Sequence, residues 1–324
     1  MAAYVHRARR LPQNQRGASL VETMVALVVG LAITSAALSN YMGNRTAYKQ
    51  IEGLARLQET ARIAAALLES DIRQADGSLC RRNLPFTNAT ANNNWWAQPA
   101  DGVQGFDSTM ADSRASASGF SRQAGTDSIT VWSANANRVV QVRAAASAGS
   151  GTTFTVDTVA NLAAGSLAAV CNYDAEVLFT VSAASGTTVS TSSAVNGFGP
   201  GSLITALEAN HWYIGQKTAI SNGSLNNLAL RRTTLGSNGS TTSDEMVENV
   251  SDMQITYLAG DVNGRPTAAS YVDATQNINW SQVLAARITL TLRSPEVIAV
   301  GAAGAASAAT YQVPITAAIR SRLP

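Results

Sequence analysis

The stretch Ala18–Leu38, ASLVETMVALVVGLAITSAAL, determines how the rest of the chain is organised. Its only charged residue is Glu22, and a helix of about 20 apolar residues spans the roughly 30 Å hydrocarbon core of a bilayer. The preceding segment, Met1–Gly17, holds four arginines and no acidic residue. Because basic flanks stay on the cytoplasmic side, we expect the stretch to cross a membrane and the rest of the chain to lie outside the cytoplasm.

The helix is predicted to continue well beyond the membrane. Residues 40–75 contain no proline, and Asp76-Gly77 is a suitable C-terminal stop. Apolar residues recur at intervals of three and four, which is typical of an amphipathic helix that buries one face. The positions of this stripe are Leu54, Leu57, Ala61, Ala64, Leu68, Ile72 and Ala75. We therefore expect residues 18–39 to form the membrane half of one helix and residues 40–76 its amphipathic half.

After the helix the apolar pattern changes to a period of two, which is typical of antiparallel strands with one buried face. The alternating groups are Ile129/Val131, Val140/Val142, Phe154/Val156, Val177/Phe179/Val181, Leu228/Leu230, Met253/Ile255/Tyr257, Ala286/Ile288/Leu290/Leu292 and Val313/Ile315/Ala317/Ile319. Segments rich in Ala, Gly and Ser, such as Ala183–Ser193, are expected to connect them. The pattern predicts an α+β fold in which the long helix packs on an antiparallel sheet, with residues 77–324 as one globular domain. Within it we expect Leu79–Thr126 as a loop-rich insertion that packs Trp95 and Trp96 beneath it, and an exposed contact patch formed by the two tryptophans is the alternative.

The composition argues against several classes of function. A formal net charge of +2, from 23 basic and 21 acidic residues, is too small to indicate nucleic-acid binding. The two cysteines and two histidines do not stand at any spacing recognisable as that of a four-ligand structural zinc site. The sequence also has no P-loop, no HExxH metalloprotease motif and no GxSxG nucleophile elbow. We therefore expect no enzymatic activity, no cofactor, no metal and no nucleic-acid partner.

Three local motifs are better interpreted as structure. His211–Ile214 (HWYI) contains the only histidine after the N-terminal segment, and we expect it at a strand edge with aromatic packing, not in a catalytic triad. Gly197–Gly201 (GFGPG) superficially resembles a phosphate-binding loop, but no lysine or helix-forming run follows it, so a turn is expected. Asp261–Gly264 (DVNG) has the spacing of a calcium-binding turn without the closing glutamate of an EF-hand. A hairpin turn is expected there, and a calcium site is the alternative.

The start of the apolar stretch, RGASLVE at residues 16–22, resembles the class III signal of type IV prepilins. The resemblance implies that prepilin peptidase cuts after Gly17 and methylates the new amino terminus of Ala18, with Glu22 as the fifth mature residue. The sequence departs from the family in two ways. Ala18 stands where phenylalanine is common, and the helix lacks the proline that major pilins usually carry. Loss of the leader would remove four arginines and make the net charge slightly negative.

Glu22 also calls for a partner on physical grounds. A carboxylate within hydrocarbon costs several kcal/mol unless it is paired. A free amino group at Ala18, about one helical turn away, would be a cation. In a filament, the amine of one subunit could pair with the carboxylate of its neighbour and set the axial register. The alternative is a signal-anchor helix that tolerates one acid near its interfacial end.

Further segments resemble PilW-type minor pilins. They are Asp244–Tyr257 (DEMVENVSDMQITY), Tyr271–Ala274, Trp280–Ile288 and Tyr311–Pro324, together with Leu57–Glu59, Ala61–Arg62 and Asp71–Ala75 in the helix. The resemblance implies a minor pilin of the bacterial inner membrane whose C-terminal domain is periplasmic. It further implies that other minor pilins, the major pilin and the inner-membrane assembly platform are its partners. The subunit would help to initiate pilus assembly and would lie in or near the pilus tip, supporting adhesion and twitching motility.

Two other functions are compatible with the same features. A minor pseudopilin of a type II secretion system shares the signal, the helix and the sheet. A membrane-anchored extracytoplasmic enzyme or adhesin is a more distant alternative. Residues 90–210 resemble no family that would decide among them.

The two cysteines, Cys80 and Cys171, can form only one intramolecular pair. A domain outside the inner membrane lies in an oxidising compartment, so we expect a disulfide between them. Two buried free thiols are the alternative.

Overall fold

The computed structural model describes residues 19–76, 80, 84–90, 94–115, 119–149, 151–159, 162–220, 226–235, 240–261, 263–267, 271–275, 278–294, 299–300 and 306–323. The chain forms two compact units, Met1–Ile51 and Glu52–Pro324.

Helix α1, Leu20–Arg73, extends through 54 residues. In the part of the chain that the structure describes, it is the one helix long and apolar enough to cross a membrane. Two exposed ion pairs with helical spacing support its second half, Glu52–Arg56 and Glu69–Arg73. After the helix, Asp76 adopts a left-handed φ of 66°, which turns the chain away from the helix axis.

The second unit contains short 3-10 turns at Trp95–Ala97, Pro99–Asp101, Trp280–Gln282 and Arg320–Arg322. Its strands are β1 Phe86–Asn88, β2 Val103–Phe106, β3 Ser128–Ala148, β4 Gly151–Val156, β5 Leu167–Cys171, β6 Glu176–Ser185, β7 Thr188–Thr191, β8 Leu203–Gln216, β9 Leu228–Leu235, β10 Thr241–Glu248, β11 Val250–Ala259, β12 Val272–Asp273, β13 Val283–Arg293, β14 Ala299–Val300, β15 Ala306–Ser307 and β16 Thr310–Ala318.

The strands form two main sheets. The larger has the order β10-β9-β8-β5-β6-β7-β4-β3-β2, and β3 also pairs with β8. The antiparallel strands β3, β4, β7, β6, β5 and β8 therefore close into a six-stranded ring, which we call the barrel. Strand β1 joins β6 in parallel. The smaller sheet, which we call the C-terminal sheet, has the antiparallel order β12-β11-β13-β16. The predicted α+β class, with a long apolar helix and a mostly antiparallel sheet domain, is confirmed.

The second half of α1 packs on the C-terminal sheet. The buried stripe consists of Leu57, Ala61, Ala64, Leu68, Ile72 and Ala75, whereas Leu54 is 41% exposed and lies one turn before the first buried position. On the sheet side the buried residues alternate as predicted, at Met253, Ile255 and Tyr257 of β11 and at Ala286, Ile288, Leu290 and Leu292 of β13. Trp212 and Ile214 of β8 complete this core. The small alanines of the stripe let the helix approach the sheet closely, so one amphipathic face accounts for the docking.

The barrel encloses a second core. It contains Val140, Val142, Phe154, Val156, Ala168, Val170, Phe179, Val181, Val189, Ile204 and Ala206 with the loop residues Leu162, Val195 and Phe198. A third, smaller core on the outside of the barrel joins Trp96 and Ala97 to Trp132 and Leu167. The insertion before β3 therefore covers this outer face with Trp96 fully packed and Trp95 partly exposed.

Several expectations for the middle of the chain are wrong. The groups Ile129/Val131 and Val140/Val142 lie on one long strand, β3, which is bulged between Ala134 and Val139. The expected connector Ala183–Ser193 contains the end of β6 and all of β7, because a strand with Val189 as its one apolar residue is needed to close the barrel. His211–Ile214 is not at a sheet edge, since β8 lies between β3 and β9 at these positions.

Candidate filament-assembly helix and its anchorage

The first half of α1 presents a continuous apolar surface. In the first compact unit its large apolar side chains are all exposed, and they include Leu20, Val21, Met24, Leu27, Val28 and Leu31. Glu22 is the only acidic residue from Leu20 to Ile51, and it is exposed in the first turn of the helix. Gly17 and Ala18, the predicted processing residues, lie outside the described residues. The geometry therefore supplies a surface suited to lipid or to other helices, with one carboxylate near its start.

The second half of α1 is fixed by a partly buried carboxylate. Asp71 Oδ2 accepts hydrogen bonds from Trp212 Nε1 at 2.8 Å and from Asn210 Nδ2 at 3.0 Å. Burial raises the pKa of Asp71, although the hydrogen bond from Trp212 opposes the shift. Because both donors project from the same face of β8, this contact fixes the rotation of the helix on the sheet.

The end of α1 is bound to the end of the chain. The buried guanidinium of Arg322 donates to Asp76 Oδ2 at 2.9 Å and to the carbonyl oxygens of Trp280 at 2.6 Å and Val283 at 2.8 Å. It also donates to the carbonyl oxygen of Asp101. One side chain thereby joins the helix exit, the insertion and the C-terminal sheet.

The same junction requires glycine at one position. Gly102 has a φ of 65°, and a Cβ there would lie 2.7 Å from Asp76 Cα. Ser321 Oγ donates to the carbonyl oxygen of Ala75 at 3.1 Å. The chain terminus therefore closes over the last helical turn with little spare space.

A disulfide ties the helix exit to the barrel. Cys80 follows α1 and Cys171 ends β5, and their sulfur atoms are bonded with the Cα atoms 5.9 Å apart. The separation lies within the range that disulfide geometry requires. The bond encloses 91 residues of sequence separation, including the first half of the barrel.

A buried polar cluster holds the insertion against the barrel. His211 Nδ1 lies 2.9 Å from Thr130 Oγ1, and its Nε2 lies 3.0 Å from Asp112 Oδ2. Thr130 Oγ1 also accepts a hydrogen bond from Arg114 Nη1 at 2.6 Å, so its own proton is available to His211 Nδ1. This pattern assigns a neutral imidazole with its proton on Nε2, facing Asp112. Burial lowers the pKa of His211, in agreement with the neutral form.

The charges of this cluster are balanced without the histidine. Burial lowers the pKa of Arg114 to about 10, so the guanidinium stays positive at neutral pH. Burial of Asp112 opposes its ionisation, but hydrogen bonds from His211, Ser128 and the Arg114 backbone hold its pKa below the usual value. Since His211 has no exposed surface, it cannot touch a substrate in this conformation. The cluster connects the insertion to β3 and β8.

The two glycine- and aspartate-containing motifs are turns. Asp261 Oδ1 accepts the backbone N–H groups of Asn263 and Arg265, both at 2.8 Å. The bond from Arg265 lowers the pKa of Asp261. Gly197 and Gly201 both have positive φ values, as a turn requires. Among the described residues, no three His, Cys, Asp or Glu side chains form a group that could hold a metal ion.

Sequence reasoning missed the residues that anchor the helix. Asp71 is one polar residue in an amphipathic helix, and Arg322 is one of several arginines near the chain terminus. Only their burial distinguishes them, and burial depends on partners that are distant in sequence. The one available signal is the resemblance of residues 71–75 and 311–324 to PilW-type minor pilins.

One comparison with known proteins identifies a family. Residues 211–319, about a third of the chain, match the model of the PilW family, type IV pilus-assembly protein W. No curated protein matches the chain significantly. The matched segment includes Trp212 and all of β9 to β16, so it contains the sheet on which α1 packs. Through this segment the chain is similar to the PilW family of type IV pilus assembly.

Proposed function

We propose that the protein is a minor pilin that helps to initiate type IV pilus assembly and is incorporated in or near the pilus tip. The observation that carries the proposal is the exposed apolar half of α1 with Glu22 as its only acidic residue. A side chain of this kind is costly in lipid and needs a cationic partner. The amino group of Ala18 on a neighbouring subunit supplies that charge once the leader is removed.

In this function the two halves of α1 have different tasks. Before assembly, the first half anchors the subunit in the inner membrane, with the globular unit in the periplasm. During assembly, it packs against the helices of other minor pilins and the major pilin. The second half carries the globular unit through the contacts of Asp71 and Arg322. Prepilin peptidase and the inner-membrane assembly platform are the remaining partners.

Processing provides the first test. The intact mass of the membrane-extracted protein is measured from cells with and without prepilin peptidase. We expect loss of residues 1–17 and gain of one methyl group at Ala18 only when the peptidase is present. A chain that keeps its leader in both strains would contradict the proposal.

Recruitment provides the second test. Glu22→Gln removes the charge at nearly constant size and leaves the cleavage site unchanged. We expect normal processing, with weaker co-purification of other minor pilins and fewer pili. Glu59→Gln, at an exposed position of the same helix, is the matched control and should behave as wild type. Recovery of type II secretion pseudopilins in place of pilins would assign the protein to that system.

A further inference from the structure

A pocket of about 320 Å³ lies where β8 leaves the barrel. On one side β8 pairs with β5 as far as Ala206, and it pairs with β9 only from Asn210 onward. The described strands leave residues 207–209 without a partner on that side. The pocket occupies this gap at the mouth of the barrel, a position in which barrel proteins frequently bind small ligands.

The lining of the pocket is half polar and carries two guanidinium groups. Its polar residues are Arg138, Ser166, Glu208, Asn210, Arg232 and Thr234, and the other half of the lining is apolar. Arg138 lies within the bulge of β3. Arg232 lies with its guanidinium carbon 5.5 Å from the ring centroid of Trp212.

Neither arginine forms an ion pair with a carboxylate among the described residues. Arg232 Nε is buried and has no hydrogen-bond acceptor there. Glu208, the one acidic residue of the lining, accepts a hydrogen bond from Asn135 Nδ2 at 2.6 Å. Arg232 interacts electrostatically with Asp71, whose Oδ2 is held by Trp212 and Asn210. Asp244 is the cross-strand neighbour of Arg232 in β10 and forms no ion pair with it among the described residues. The pocket lining therefore contains two guanidinium groups that form no ion pair with a carboxylate among the described residues, an arrangement that favours an anion.

We propose that the pocket binds an acidic monosaccharide unit, with the carboxylate of a uronic acid between Arg138 and Arg232. The hydroxyl groups of Ser166 and Thr234, the amide of Asn210 and the carboxylate of Glu208 match the hydroxyl groups of the sugar. Leu167, Leu207 and Leu235 supply apolar contact for its C–H face. The volume suits one sugar ring and is too small for a folded partner. This binding site is independent of the proposed role in pilus assembly.

Binding of galacturonate and galactose to the full chain tests the proposal. The protein is extracted in a detergent without a sugar headgroup, and binding is measured by saturation-transfer NMR and calorimetry. We expect galacturonate to bind at least about tenfold more tightly than galactose, because only the acid can pair with the arginines. The affinity for galacturonate should fall as salt is added.

Two variants locate the site. Arg138→Ala and Arg232→Ala should each weaken galacturonate binding by about tenfold or more. Arg265→Ala, at an exposed arginine outside the pocket, is the matched control and should bind as wild type. If Arg232→Ala lowers the melting temperature, its loss of binding is ambiguous, and the Arg138→Ala variant alone tests the site. Arg138 lies outside the hydrophobic cores, so its replacement should leave the fold intact.

Three results would overturn the proposal. They are no detectable binding of galacturonate, equal affinity for galacturonate and galactose, and unchanged affinity in a folded Arg138→Ala variant. Displacement of galacturonate by a glutamate-rich peptide at lower concentration would reassign the pocket to a protein carboxylate.

Discussion

The C-terminal sheet and the barrel differ in what holds them to the rest of the molecule. The C-terminal sheet meets α1 through a continuous apolar stripe, in which Ala61 and Ala64 let the helix approach closely. The barrel is joined to its surroundings through β8, which continues the sheet into β9 and adds Trp212 and Ile214 to the helix core, and also by the polar cluster around His211 and the Cys80–Cys171 bond. The difference separates a helix-docking module, which matches PilW, from a second module that lies largely outside the matched residues.

The comparison also shows where the two modules meet. Asp127, at the start of β3, accepts the backbone N–H groups of Ile255 at 2.7 Å and Ser108 at 2.8 Å. Nearby, a Cβ at Gly105 would overlap the buried hydroxyl group of Tyr257, so only glycine fits there. The junction therefore combines a carboxylate with close backbone packing, and changes at it should affect both modules.

The largest effect is expected at the helix exit. Arg322→Ala leaves Asp76 and three carbonyl oxygens without their charged donor, so we expect the free energy of unfolding to fall by about 3–5 kcal/mol. Urea denaturation of the full chain in detergent measures it. The exposed neighbour Arg320→Ala is the control, with an expected change within about 0.5 kcal/mol. Equal losses in both variants would show that the buried contacts of Arg322 do not dominate.

The next effect concerns the barrel. Replacing Cys80 and Cys171 by serine removes a bond across 91 residues of sequence separation. We expect the free energy of unfolding to fall by about 3–4 kcal/mol. Amide exchange should accelerate in β4 to β7 and stay nearly unchanged in β11 and β13. Reductant should reproduce the effect in the wild-type protein and leave the double variant unaffected. An equal acceleration in both sheets would contradict their independence.

The same contrast explains how much of the fold was predictable. Met253, Ile255 and Tyr257 alternate in one strand, and their periodicity alone indicates which face is buried. Barrel closure depends instead on β3 pairing with β8, which brings together Thr130 and His211, 81 residues apart. A local pattern carries no information about such a pairing. For the same reason β7, with Val189 as its one apolar residue, was expected to be a connector.

The apolar first half of α1 was predictable, and the contacts that anchor its second half were not. Apolar length and the position of Glu22 follow directly from the sequence, since they are properties of a single segment. The anchors Asp71 and Arg322 depend on partners more than 130 residues away, at Trp212 and Asp76. Their polarity suggested solvent exposure, because charged residues are rarely buried unless they are paired.

A smaller effect should appear at the joint between the modules as the pH changes. Burial raises the pKa of Asp127 from 3.8 to about 6, against the hydrogen bond from the Ile255 N–H. A carboxyl group with a raised pKa binds its proton more tightly in the folded state than in the unfolded state. Asp127 therefore adds to the free energy of unfolding below pH 4, and this stabilisation is lost as the pH rises to about 6. The shift corresponds to up to about 3 kcal/mol. Asp127→Asn should remove this part of the pH dependence, as measured by urea denaturation between pH 4 and 7. An unchanged pH profile would show that Asp127 is ionised over this range.

The smallest net effect on stability is expected at His211, in the polar cluster of the barrel. Its dependence on pH is opposite in direction to that of Asp127. Burial lowers the pKa of His211 below its usual 6.5, so the folded state binds less proton than the unfolded state. The stabilisation that neutral His211 gives to the folded state is therefore complete above pH 6.5 and is lost as the pH falls. In the wild-type protein it partly cancels the effect of Asp127, because the two pH ranges overlap. His211→Gln keeps a neutral hydrogen-bonding side chain, and it should make the protein gain stability on acidification from pH 7 to 5, whereas Asp127→Asn should make it lose stability. If both single variants show the wild-type pH profile, these two buried groups do not set the acid response of the modules.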